Sequence, residues 1–324
     1  MKETLVWDCH GCMPLRPGDT SFLPGLERVR NAGVNHLSLN VGFDLSSGAD
    51  VLQMLATFRH WILHNSDRFV LVESVTDIEL AKSSGQLAIT FDLEGGNAIA
   101  SPGMIEVLYR LGVRWMLLAY NRNNALGGGC MDEDCGLTTY GRRIIDEMEA
   151  AGMLLCCSHS GHRTALEAIE HSRNPVIFSH SNARAVHPHP RNIGDDLIRA
   201  CAKSGGVVNL NGVGIFLGQR ADGSGDNSTA ALLRHIDYCA ELVGPKHVGI
   251  GLDYLFDPSE LDALVSQSPT IFPAELQRGK DYVQVEPERF PIIAEGLLAM
   301  GYGDDDVQGV LGHNNLRVAR QVWK

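Results

Sequence analysis

Eight short apolar or β-branched runs punctuate this 324-residue chain, and stretches with helical spacing separate them. The runs are 5–7, 36–41, 87–94, 114–118, 153–157, 176–179, 206–211 and 247–253. Helical patterns begin near Phe22 and recur at 49–64 and 74–84. A further one, 138–152, starts on Thr138, repeats Ile144, Ile145 and Met148 on one face and stops at Gly152, while 195–204 ends at Gly205 and Gly206. Strands alternating with helices predict parallel β/α units, and eight is the number that closes a barrel. The expected fold class is therefore α/β, a (β/α)8 TIM-type barrel. It would occupy 1–324 as one domain with a helical tail at about 304–324, its Gly312-His313-Asn314-Asn315 segment ending a helix near the barrel mouth. An open doubly wound sheet is the competitor, but no GxGxxG follows the first run.

Composition narrows the partners. A formal charge of −12 without a lysine/arginine run repels polyanions, so no nucleic-acid partner is expected. The N-terminus passes within four residues into the first run, leaving no room for a signal peptide, and no apolar run approaches the roughly 18 residues of a membrane span. The expectation is a cytoplasmic protein with no membrane partner. Eight cysteines then read as thiols, ligands or core fillers rather than a disulfide framework. Cys130 and Cys135, bracketing four residues, read as ordinary thiols, since only two of four possible metal ligands are in view.

The chemistry gathers where strands end. In PVIFSHSNARAVHPHPR, 175–191, a buried strand delivers His180, and 21 residues earlier another apolar run delivers His159. One α/β unit takes about that length, so the two imidazoles should lie side by side. His10 and Cys12, two apart at the end of the first strand, point the same way. Glu94 ends the third run. In a (β/α)8 barrel all these positions face one mouth, and imidazole, thiolate and carboxylate are all zinc ligands. Five donors exceed one tetrahedral zinc. The expected arrangement is His10, Cys12 and Glu94 on one ion and Glu94, His159 and His180 on a second, with Glu94 bridging. Two ions about 3.5–4 Å apart would share a water and activate it for hydrolysis.

Leu93-Glu94-Gly95-Gly96, the Ser158-His159 pair, the FSHSNARAVHPHPRN run and Gly249-Ile250-Gly251-Leu252-Asp253, in this order and spacing, resemble the renal (membrane) dipeptidase family, the M19-type, amidohydrolase-like zinc dipeptidases. The resemblance runs from Asp8 to Arg317. It implies a TIM-like barrel with two zinc ions and hydrolysis of dipeptides, including those with a C-terminal D-residue. It implies further that Arg191 pairs with the substrate carboxylate and that Asp253 acts as base or proton shuttle. Two positions depart from the family pattern: Cys12 replaces an aspartate ligand, and Tyr120 replaces a histidine that stabilises the tetrahedral intermediate. A tyrosine hydroxyl can donate to a developing oxyanion, and Tyr120 and Asn123 are the expected substrate contacts of that segment. A homodimer is compatible with the family pattern. Because both departures fall in the catalytic set, two alternatives stay open: a related metallohydrolase of another small amide or lactone, and a non-catalytic metal- or ligand-binding relative.

Overall fold

The computed structural model describes residues 4–268, 270–272 and 282–324. Among these residues ten parallel strands build one sheet: β1 Trp7–Cys12, β2 His36–Phe43, β3 Phe69–Leu71, β4 Leu87–Glu94, β5 Val113–Leu117, β6 Leu154–Cys156, β7 Ile177–Phe178, β8 Val207–Leu210, β9 Val248–Ile250 and β10 Tyr254–Leu255. Their order is β10-β1-β2-β4-β5-β6-β7-β8-β9, with β3 beside β4. Because β10 follows β9 after three residues and pairs with β1 through Gly11↔Tyr254, the two ends of the sheet meet. The fold is an α/β barrel of parallel strands, as the eight runs predict. The run at 247–253 divides into β9 and a turn, and β10, which closes the ring, lies just beyond it. The three-residue β3, paired to the start of β4 at Phe69↔Leu87, was not among the predicted strands. It is too short to show a period of its own.

Helices Gly48–His64, Val75–Ser84, Thr139–Ala151 and Asp195–Lys203 fall on the predicted segments. Their starts and stops have local causes. Ser47 and Asp50 form a reciprocal capping box, the Thr138 side chain accepts from Gly141 N–H, and Gly152 ends its helix at φ 91°. The outward strand faces and these helices share one large apolar core, in which Leu37, Ile89, Phe91 and Leu93 have no exposed surface to speak of. A second cluster fills the lower interior of the barrel with Trp7, Trp115, Leu117, Leu154, Ile177 and Val207.

The tail corrects one expectation. Helix Asn314–Val322 packs Leu316, Val318 and Val322 into this interior cluster. Asn314 Nδ2 donates to Pro245 O and Val248 O, and Asn315 Nδ2 donates to Asn209 Oδ1. These partners belong to the N-terminal ends and lower interior of the strands, so the tail seals the face opposite the mouth. His313 is exposed there and cannot serve the mouth. The loop 218–228 closes on itself through a Gln219–Gly225 bridge and contributes nothing to the mouth cavity. Among the described residues no helix is long and apolar enough to cross a membrane.

Candidate active site

A bulge aims the first two predicted ligands. Trp7 and Cys9 belong to the interior cluster, whereas a Cβ at Gly11 would meet Leu37 in the outer layer. The β1–β2 register shifts between Asp8 and Gly11, and this extra residue moves the inward face from odd to even positions, bringing His10 and Cys12 to the axis. Elsewhere the turn at the strand end does the aiming. Asn121, His159 and Asp253 are the non-glycine residues with left-handed backbone among those described, at φ 60°, 63° and 58°. That conformation is costly for an L-residue, and here it gathers at one mouth.

Three imidazole nitrogens surround one carboxylate oxygen. Glu94 Oε1 lies 3.5 Å from His10 Nε2, 3.4 Å from His159 Nε2 and 3.2 Å from His180 Nε2, yet it completes no hydrogen bond. Glu94 Oε2 accepts from Asn40 Nδ2 at 3.0 Å. Asn121 Nδ2 donates to Ile271 O, which leaves Asn121 Oδ1 to accept from His159 Nδ1 at 2.7 Å; the proton is thereby assigned to Nδ1 and a lone pair to Nε2. His180 Nδ1 is 2.7 Å from Ser179 Oγ. The two Nε2 atoms face each other at 2.9 Å. Burial first, and then the charges of Arg191 for His159 and of His10 for His180, hold both imidazoles well below the usual histidine range. Two neutral nitrogens directed at each other beside an unpartnered buried carboxylate oxygen fit a cation between them.

A second donor set adjoins the first. His10 Nε2 is 3.3 Å from Cys12 Sγ and 3.5 Å from Asp253 Oδ1, and Cys12 Sγ is 3.6 Å from that same oxygen. His10, Cys12 and Glu94 form one set of possible metal ligands, Glu94, His159 and His180 another, and His10, His180 and Asp253 a third, each with its ligand atoms within 4.8 Å. Burial raises the Cys12 thiol and lifts the Glu94 carboxyl to about 8. For His10, burial opposes the charged form, but Cys12, Asp92 and Glu94 raise its pKa well above the usual value. Its Nδ1 stands 3.2 Å from Asp92 Oδ1, too poorly aligned to complete a hydrogen bond.

Arg191 is 3 % exposed, donates from Nη2 to His180 O at 3.1 Å and lies over the Phe216 ring. Its Nε has no partner, and no carboxylate among the described residues pairs with it. Asp253 Oδ2 accepts from Asn211 Nδ2 at 2.8 Å, leaving Oδ1 toward His10 and Cys12. The Tyr120 ring stacks on His159 at 4.1 Å, and burial pushes its pKa well above the usual phenol value, so the hydroxyl remains a donor. Tyr120, Arg191, Glu94 and Asp253 all line one cavity of about 370 Å³ at the mouth.

Asn123 does not reach this cavity. Its amide donates to Glu133 O and accepts from Gly129 N–H, so it braces its own loop, and its neighbour Asn121 holds the site histidine instead. Asn40, Asp92, Asn121 and Asn211 are the supporting residues that sequence reasoning missed. A signal existed: Ser38 and Asn40, Thr90, Asp92 and Glu94, and Asn209 and Asn211 are polar residues at alternate positions of otherwise apolar strands, the mark of a polar barrel interior. Cys130 and Cys135 are free thiols, Cys135 exposed.

Comparison with known proteins finds relatives over most of the chain. The profile of the membrane dipeptidase family, peptidase family M19, matches residues 33–287. A Klebsiella pneumoniae protein described by its position in the pqqA 5′ region is 31 % identical over 288 residues, covering 85 % of this chain and 97 % of its own. Dipeptidase 3 of Rattus norvegicus is 30 % identical over 260 residues, 78 % of this chain, which spans 48 % of the rat protein. Among solved structures, an amidohydrolase from Pseudomonas aeruginosa superposes with a TM-score of 0.87 at 26 % identity, covering 99 % of this chain and 97 % of its own. A Rhodobacter sphaeroides metallopeptidase liganded with a phosphinate mimic of the dipeptide L-Ala-D-Ala shares the fold, with a TM-score of 0.76 at 21 % identity over 99 % of this chain and all of its own. The chain belongs to the membrane dipeptidase family, peptidase family M19, and so to the metallopeptidases.

Proposed function

We propose that this protein hydrolyses dipeptides at a two-zinc site, with His10, Cys12 and Glu94 holding one ion and Glu94, His159 and His180 the other. The observation that carries the reading is the unpartnered, buried Glu94 Oε1 ringed by three imidazole nitrogens, beside a buried arginine that lacks a counter-ion among the described residues. Zinc bound there supplies Lewis acidity, which activates water and polarises the scissile carbonyl. The chain's own residues do the rest. Arg191 receives the substrate carboxylate in its planar fork, exchanging an unpaired buried cation for an ion pair. Asp253 Oδ1, held in place by Asn211, takes the proton from the attacking water and returns it to the leaving amine. The Tyr120 hydroxyl donates to the oxygen that gains negative charge. Tyr120 and Arg191 are thus the substrate contacts on this side of the cavity. The Rhodobacter enzyme's L-Ala-D-Ala mimic supports trying a D-residue at the C-terminal position.

Zinc-loaded protein should bind two ions and cleave dipeptides, and chelation should abolish turnover. L,D and L,L pairs assayed side by side set the stereochemical preference. Arg191→Lys should lower kcat/KM by roughly 10–100-fold, the worth of a hydrogen bond to a charged group, while leaving C-terminally amidated analogues unaffected. Equal losses on both substrates would remove Arg191 from carboxylate recognition. Turnover of small amides or lactones in place of any dipeptide would favour the alternative reading, in which Cys12 and Tyr120 reshape the chemistry.

A further inference from the structure

The cavity carries its one described arginine on one side and apolar side chains on both. Arg191, on the loop after β7, stands on one side, and in strand order β2 lies across the ring from β7. The opposite wall comes from the β1 and β2 loops and the start of helix Gly48–His64, with Met13, Leu15, Phe43, Leu45 and Met54 facing the cavity. Met13 and Met54 are buried, whereas Leu45 is 47 % exposed, a large apolar side chain left open at the mouth. Carboxylates also border this wall, each held through one oxygen or by Arg16. Asp50 caps its helix through Ser47 N–H and the Ser47 hydroxyl. Asp257 pairs with Arg16, and Glu260 accepts Leu15 N–H at 2.9 Å and stands 3.3 Å from Arg16 Nε. Asp253, close to the donor atoms, borders the position of the substrate amine.

We infer that the β1–β2 wall is the subsite for the N-terminal side chain of the substrate and that it selects a large apolar residue there, such as leucine, methionine or phenylalanine. This rests on the dipeptide reading above and deepens it. With the carboxylate fixed at Arg191 and the amine at Asp253, the scissile carbonyl lies over Glu94 and its histidines, and the N-terminal side chain extends toward Leu45 and Met54. A volume of about 370 Å³ holds a bulky side chain along with the peptide unit. An aliphatic or aromatic group there leaves water for apolar surroundings, whereas a lysine or glutamate side chain gives up hydration against carboxylates already held by Arg16, Ser47 and the Leu15 N–H.

The test is kcat/KM of the zinc-loaded protein on an X-Gly series with X = Ala, Leu, Phe, Lys and Glu. Leu-Gly and Phe-Gly should exceed Ala-Gly by about tenfold or more, and Lys-Gly and Glu-Gly should fall below it. Leu45→Asp, at a position 47 % exposed, should reduce the Leu-over-Ala ratio by about tenfold and raise Lys-Gly relative to Leu-Gly. A flat series, or a preference for small or charged N-terminal residues, overturns the inference while the hydrolase reading stands. If no dipeptide is cleaved, that reading fails, and calorimetry of Leu-Gly against Ala-Gly on the zinc-loaded protein still decides the subsite. Tighter Leu-Gly binding with a more negative heat-capacity change supports it; equal affinities overturn it.

Discussion

Single side chains here work in pairs, one presenting a donor atom to the site and another holding it. Glu94 is held by Asn40, His159 by Asn121, His10 lies against Asp92, and Asp253 is held by Asn211. The candidate donor types were legible in the sequence because histidine, cysteine and glutamate at strand ends are chemically conspicuous. Their holders were not, because an asparagine in a strand looks the same whether it braces a ligand or a loop. Asn121 and Asn123 show the difficulty: two residues apart in one loop, one bonds His159 and the other bonds its own loop backbone. The prediction at this scale concerns a holder. Asn40→Ala should weaken metal binding by about 10–100-fold, read by competitive zinc titration, because Glu94 loses the bond that orients its carboxylate. Unchanged affinity would make Asn40 a packing residue alone.

At the scale of elements, the strands approach one another closely where glycines allow it. A Cβ at Gly251, just after β9, would stand 1.9 Å from Ser179 O at the end of β7. Side-chain rotation cannot relieve that contact, so Gly251→Ala must push the two segments apart. The expected cost is about 1–3 kcal/mol in urea unfolding, together with lost activity, because the same turn carries Asp253 and the same strand end carries His180. Gly103→Ala is the control. Its backbone is already αR, nothing stands within 4 Å of the new Cβ, and it should leave stability unchanged or raise it by about 0.4–1 kcal/mol. Comparable losses in both variants would mean that close strand approach is not what Gly251 secures. The bulge in β1 belongs to this scale too: spacing alone placed His10 and Cys12 on one side, but the pairing with β2 chose which side.

For the whole molecule, the barrel interior divides into a polar upper half that serves the site and an apolar lower half sealed by helix Asn314–Val322. His36 sits in the lower half, its ring 3.8 Å from that of Trp7 and its Nε2 3.1 Å from Thr90 Oγ1. Burial, and then the Arg114 charge, lower its pKa to about 3. The unfolded chain takes up this proton near 6.5 and the folded chain does not, so the stability tied to His36 is complete above pH 6.5 and is lost as pH falls toward 3. Buried carboxyls act in the opposite sense, as with Asp8, lifted to about 7 by burial, so the His36 share is best read as a difference. In chelator-treated protein, the stability gap between wild type and His36→Gln should narrow by roughly 1.4 kcal/mol per unit as pH falls below 6.5. A gap independent of pH would mean that His36 is protonated in the folded state.

The sequence by itself determined the parallel α/β barrel, the strands that end in candidate donor residues and the kinds of donor atom available, because a period of two, helix caps and donor chemistry are local properties. Tertiary structure decided the rest: that β10 closes the ring, that the tail plugs the far face, that Asn121 lies against His159 while Asn123 does not, and that Arg191 is left without an ion-pair partner among the described residues. Those outcomes depend on contacts such as that between Cys12 and Asp253, 241 positions apart in the chain. Which partner a side chain finds at that separation is set by the closing of the barrel, and no local pattern of residues encodes it.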